Sequence, residues 1–254
     1  MLHRRLYVLT ILLCFFCVFH SSCATDQTAK KQMAGAHLKT GMANLESGHY
    51  IEALKELFEA RNLDPDNPQV YYYSGVAYYG RGLKKEAAQE FHKACTLDQK
   101  YSEAYNFLGL ICFEEEHYDE AIGNFTKALS NVFYETPEFA LNNLGKAYLK
   151  KGNYAMALSR FDEALKIRPN KILPIIYMNK GALFLAMNRP AEAVRNLEKS
   201  IELAPYITES HYLLGCAHLL NGNRTHAVKE LKTARMLGPQ SEFGLKAKKI
   251  LGEK

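Results

Sequence analysis

The sequence predicts an all-α solenoid: six antiparallel helix pairs stacked in series and closed by one further helix. Three observations carry this. First, units start at residues 34, 68, 102, 138, 174 and 208, a spacing of 34 or 36 (68 − 34 = 34; 138 − 102 = 36). Second, Gly stands at the eighth position of every unit (Gly41, Gly75, Gly109, Gly145, Gly181, Gly215) and Ala at the twentieth (Ala53, Ala87, Ala121, Ala157, Ala193, Ala227). Third, the twenty-fourth position is always large and apolar (Leu57, Phe91, Phe125, Phe161, Leu197, Leu231), and the twenty-seventh is always small, from Ala60 to Ala234. Two helices approach closely only where side chains are small, so the eighth and twentieth positions mark the crossing and the twenty-fourth fills the space beside it.

Taken in order, residues 1–22 read as a secretory leader: a basic His3-Arg4-Arg5, an apolar run from Leu6 to Phe19, then His20-Ser21-Ser22. That run is too short to span a bilayer comfortably, which points to cleavage. Two cleavage chemistries compete. Ser22-Cys23-Ala24 has the small-x-small form of an ordinary peptidase site, whereas Ser21-Ser22-Cys23 resembles the lipobox of bacterial lipoproteins, departing from it at His20. The second makes Cys23 the lipidated first residue, and Ala24 after it implies outer-membrane sorting. Residues 23–33 are polar and read as a flexible tether. The units follow at 34–67, 68–101, 102–137, 138–173, 174–207 and 208–241. Pro65, Pro169, Pro205 and Pro239 stop second helices, and Gly48, Gly82, Gly152 and Gly222 turn the chain between helices. Residues 242–254, with Phe243, Leu245, Ile250 and Leu251 among lysines, read as a cap helix covering the last pair.

This pattern resembles the tetratricopeptide repeat (TPR) and covers residues 34–241. The resemblance implies a right-handed superhelical solenoid whose inner wall is lined by the first helix of each pair. Carried over position by position, the candidate groove holds Leu38, Met42 and Leu45 in unit one, Tyr72, Val76 and Tyr79 in unit two, and Asn106, Leu110 and Phe113 in unit three. Unit four changes character, with Asn142, Lys146 and Lys150. An apolar, aromatic inner face marks a protein-binding surface; alternatively, Leu45, Tyr79 and Phe113 merely cover neighbouring helices.

Other chemistries find little support. The chain is 48% hydrophobic and 23% charged, which excludes wholesale disorder. Its net charge of +5 drops to 5 − 2 = +3 without Arg4 and Arg5, too mild for a nucleic-acid footprint. Beyond the leader and Cys23, Cys95, Cys112 and Cys216 are odd in number and form no CxxC, so they imply neither a disulfide framework nor a zinc site. His211 and His218 lack a third metal ligand at usable spacing. No nucleophile triad or phosphate loop is present, so we expect no enzyme, cofactor, metal or small-molecule substrate. Asn124-Phe-Thr126 and Asn223-Arg-Thr225 are sequons.

Repeats alone say only that a protein is bound. The lipoprotein-like leader, the six units and the lengthened join of units three and four, Ala128 to Gly145 with Tyr134 and Pro137, resemble the PilF/PilW/Tgl pilotins of bacterial type IV pili. That resemblance implies an outer-membrane lipoprotein on the periplasmic face that binds the secretin subunit and promotes its assembly. Another periplasmic adaptor for cell-envelope assembly, possibly soluble, is the alternative.

Overall fold

The computed structural model describes residues 27–168 and 170–252. The leader, Cys23 and Pro169 lie outside them. Helix α1 covers residues 27–46. It is followed by α2 (Tyr50–Leu63), α3 (Pro68–Gly80), α4 (Lys84–Leu97), α5 (Ser102–Glu114) and α6 (Tyr118–Leu129). Then come α7 (Pro137–Lys150), α8 (Tyr154–Ala164), α9 (Leu173–Ala186), α10 (Pro190–Leu203), α11 (Thr208–Leu220), α12 (Arg224–Leu237) and α13 (Glu242–Leu251). The described residues contain no strand. The expected all-α fold of successive helix pairs is what the chain adopts.

One expectation needs correction. Residues 27–33, read as tether, are the first two turns of α1. Gln27, Ala29, Lys30, Lys31 and Gln32 are polar or small but, like Met33 after them, are also strong helix formers, and that propensity prevails.

Helix starts are locally encoded. Asn67, Asn153 and Ser241 cap α3, α8 and α13 by accepting from the backbone N–H of Gln69, Met156 and Gly244, at 3.0, 3.3 and 3.1 Å. Pro68, Pro137 and Pro190 open α3, α7 and α10, where the missing N–H costs nothing. The turns inside pairs need a left-handed residue. Gly48, Gly82, Gly152 and Gly222 supply it at φ of 72° to 76°, but Glu116 (63°) and Asn188 (54°) do so in the third and fifth pairs.

Contacts divide the chain into two compact units, one ending at Ala104 and one beginning at Tyr105. In the N-terminal unit the core joins Leu38, Ala53, Leu57, Ala60 and Val70, and Phe91 is fully buried beside Gly75. In the C-terminal unit, Phe125, Phe161, Leu197 and Leu231 are each no more than 1% exposed and seat on Gly109, Gly145, Gly181 and Gly215. Its last core cluster is Leu231, Ala234 and Ala247, with Tyr212 and Leu251 packed on it, so α13 covers the final pair. The lengthened join between α6 and α7 turns Tyr134 inward against Ala128 and Ala140. Its neighbours Val132 and Phe133 point outward.

Candidate protein-binding face

In the N-terminal unit the face begins on α1 and α3. Leu38 does not belong to an open groove: it is 7% exposed and closes the core with Leu57 and Val70. The fifth position of unit one has a neighbouring helix on both sides, so its side chain is absorbed by packing. Met42 and Leu45 are half-buried against the same cluster. On α3, Tyr72, Val76 and Tyr79 are half-buried. Tyr72 sits in an aromatic cluster, its ring centroid 5.0 Å from Tyr73, 5.9 Å from Phe91 and 5.1 Å from Tyr101. Burial, then the nearby Tyr72, Tyr73, Glu103 and Asp98, push the Tyr101 hydroxyl well above its ordinary pKa. The Tyr101 phenol therefore stays neutral, and the aromatic cluster acts as rigid amphipathic surface.

The C-terminal unit carries Asn106, Leu110 and Phe113 on α5, all half-buried. Asn106 accepts from the Asn143 side-chain amide at 3.2 Å, and Asn142 accepts from Asn179 at 2.8 Å. Both pairs are 37 residues apart, one repeat plus one position. Asn143 and Asn179 are not among the residues that the repeat register singles out, because each pairing joins helices a repeat apart. Phe113 packs edge-on to Tyr118 at 5.5 Å and takes the Lys146 ammonium over its face at 5.0 Å. Burial lowers the Lys146 pKa, opposed by the charges of Glu209 and Glu114 and reinforced by Lys150. Glu209 is raised, first by burial and then by Glu242, with Lys146 and Lys246 pulling it back. Beside the apolar Leu110 and Phe113, the first-helix positions Asn106, Asn142 and Lys146 are polar and take partners within the fold, unlike those on α3.

The remaining candidates resolve into structural roles. His211 Nδ1 lies 2.7 Å from Glu230 and its Nε2 lies 3.0 Å from the Pro205 carbonyl, while His218 lies against His226 with ring centroids 5.3 Å apart. No group of three or more metal-ligating side chains occurs among the described residues. Cys95 is buried and Cys112 and Cys216 half-buried, all three as free thiols. In the sequons, Asn124 donates to Cys112 Sγ at 3.7 Å and Asn223 caps α12. No helix among the described residues is long and apolar enough to cross a membrane.

Known proteins show the same picture. Models of the tetratricopeptide repeat match residues 41–82, 102–131 and 138–205. The type IV pilus assembly protein PilF of Pseudomonas aeruginosa is 24% identical over 147 residues, covering 58% of this chain and 58% of PilF. The DnaJ homolog subfamily C member 3 of Mus musculus is 25% identical over 207 residues, 77% of this chain and 41% of that protein. The chain thus spans well under two thirds of the length of these relatives. Among solved structures, P. aeruginosa PilF superposes with a TM-score of 0.75 at 19% identity, covering 87% of this chain and 99% of that one. PilW, a widely conserved type IV pilus biogenesis factor, gives 0.76 at 19% identity, covering 85% and 98%. The chain therefore carries tetratricopeptide repeats and is similar, at low identity, to the type IV pilus biogenesis factors PilF and PilW.

Proposed function

We propose that this chain is a non-catalytic protein-binding scaffold of type IV pilus biogenesis. It acts as an outer-membrane pilotin that binds the secretin subunit and promotes its localisation and assembly. The observation that carries the reading is the fold likeness to PilF and PilW, which takes in 99% and 98% of those chains. The leader would export the chain, and lipid on Cys23 would hold it at the periplasmic face of the outer membrane. Two or more acyl chains, burying CH₂ groups at ~0.8 kcal/mol each, suffice for stable anchoring, which one chain alone does not give. Met42, Leu45, Tyr72, Val76 and Tyr79 form the seat for a secretin segment. Half-buried apolar and aromatic side chains lose their remaining water on docking, and aromatics dominate such interfaces.

Capture of secretin from solubilised envelopes tests the reading. Met42→Ser with Tyr79→Ser should cut capture at least about tenfold, the loss of one or two modest hot spots, while cooperative urea unfolding, at a midpoint lowered by the packing Met42 gives up on the core, shows that the variant still folds. Undiminished capture by a folded double variant removes the seat. Secretin rings that assemble normally without this protein would remove the pilotin role and favour another envelope adaptor. Incorporated radioactive fatty acid, lost on Cys23→Ala, tests the anchor.

A further inference from the structure

The repeat register runs on past the sixth unit. Counting 34 from residue 208 gives 208 + 34 = 242, where α13 begins, so α13 stands as the first helix of a seventh unit. It stops early. The first helices α3, α5, α7, α9 and α11 are 13 or 14 residues long, whereas α13 has 10 and is closed by Gly252, left-handed at φ 70°. Gly252 thereby takes the eleventh position, held in other units by Tyr78, Cys112, Tyr148, Phe184 and His218. In unit four that side chain is a cover: Tyr148 packs on the cluster of Ala121 and Phe125, with Phe113 and Ile122 beside it. The matching residues of the last pair are Ala227, Leu231, Leu219 and Val228, and Gly252 offers them no side chain. A hollow of about 500 Å³ results, lined by the apolar Leu219, Val228, Leu231 and Ile250 and by the cations Arg224 and Lys232. Leu219 and Ile250 remain 39% and 44% exposed.

Charge says what fits this hollow. Helices α12 and α13 hold seven Lys and Arg against two Glu, a net of 7 − 2 = +5. Both acids are engaged, Glu230 by His211 at 2.7 Å and Glu242 by Lys246. The layer beneath, α10 and α11, nets 2 − 4 = −2, so the excess belongs to the end of the stack. A second copy of the chain does not answer it. Like ends would set +5 against +5, and the first pair, α1 and α2, nets 5 − 4 = +1. A bilayer presents its anions in a plane, which leaves the apolar lining of a recess between helices untouched. An acidic protein segment meets both demands: one large apolar side chain enters the hollow, whose volume is that of an ordinary binding pocket, and flanking carboxylates meet Arg224 and Lys232.

We infer that the C-terminal end of the stack captures an acidic protein segment, which sets a large apolar side chain on Leu219, Val228 and Leu231 as Tyr148 is set on the third pair. The contact is separate from the seat on α1 and α3 and does not depend on what that seat binds.

Three synthetic peptides blocked at both ends test this: Asp-Glu-Phe-Glu-Asp, Asp-Glu-Ser-Glu-Asp and Lys-Lys-Phe-Lys-Lys. Each is titrated into the full chain carrying Cys23→Ser and followed by NMR. The first should move the amide signals of Leu219, Val228 and Gly252 to saturation. It should bind at least about tenfold tighter than the second, the worth of one apolar anchor, and the third should not bind. Arg224→Glu with Lys232→Glu, both at exposed side chains, should weaken the first peptide at least about tenfold. Val228→Trp, which fills the hollow, should erase the difference between the first and second peptides. Equal binding of those two by the unfilled chain would mean that charge alone attracts them and would overturn the assignment. So would signal changes confined to other helices, or undiminished binding by the charge-reversed chain. Phosphatidylglycerol vesicles that broaden the α12 and α13 signals while the first peptide leaves them unmoved would replace the protein segment by a lipid surface.

Discussion

His211 faces an acceptor from each ring nitrogen: the Glu230 carboxylate at Nδ1 and the Pro205 carbonyl at Nε2. A carbonyl oxygen only accepts, and an ionised carboxylate only accepts, so the site favours the ring that carries a proton on each nitrogen. Burial pushes its pKa down, but the bonds to Glu230 and Pro205 together with the Glu230 charge outweigh this, and the net shift is upward. Its partner Glu230 is held below the carboxylate range, chiefly by the hydrogen bond from His211. A group whose folded pKa is raised stabilises the fold fully below its unfolded value, about 6.5, and loses that contribution as pH rises through the folded value. His218 runs the other way: burial, then His226, lower its pKa, so its contribution improves as pH rises. Wild type alone therefore mixes two slopes, and the useful quantity is the difference from His211→Gln. Urea unfolding at several pH values should show the wild-type advantage over His211→Gln shrinking from pH 6 to pH 9. An advantage that is constant or growing over that range would mean that His211 is neutral in the fold.

At the scale of the helix pair, the recurring glycine is a packing device. A Cβ built on Gly145 would lie 2.6 Å from the Phe161 ring, and one on Gly75 would lie 2.6 Å from Phe91. Both rings are fully buried and cannot swing away, so α7 and α8 would have to separate. Gly145→Ala should cost about 1–3 kcal/mol, the usual range for overpacking. Gly123→Ala, with nothing within 4 Å, should be neutral or slightly stabilising, because helical Gly is about 1 kcal/mol worse than Ala. Chemical denaturation of both variants checks the contrast, and equal effects would refute the crossing as its cause. This close approach was legible in the sequence because it fixes residue identity at the eighth, twentieth and twenty-fourth positions. Other features left no such mark. Gln27 to Met33 looked like a tether because polarity was weighed above helix propensity. Leu38 looked open because a register position gives a direction, not the neighbours that close over it. The Asn142–Asn179 pair depends on two helices a repeat apart. The doubly protonated ring favoured at position 211 depends on a carbonyl that no pattern displays.

Across a repeat array each pair is supported by the next, so the last pair depends on whatever follows it. Here that is α13, which sets Ala247 and Leu251 on Leu231 and Ala234 and stacks Phe243 on Tyr212 at 5.5 Å. Ending the chain after Gln240 would return these apolar side chains to water. Losing the cover of one leucine and one aromatic ring amounts to about 2–4 kcal/mol at ~25 cal per Å². Nearest-neighbour coupling determines where that loss is felt. Amide protection should fall most in α11 and α12 and progressively less in α9–α10 and α7–α8, because each interface crossed attenuates the effect. Hydrogen exchange read helix by helix measures this gradient. A uniform fall through α7–α12 would make the C-terminal unit one cooperative block rather than a chain of coupled pairs. No change at α11 and α12 would mean that α13 is an appendage and that the exposed Leu219 and Leu220 already mark the true end of the core.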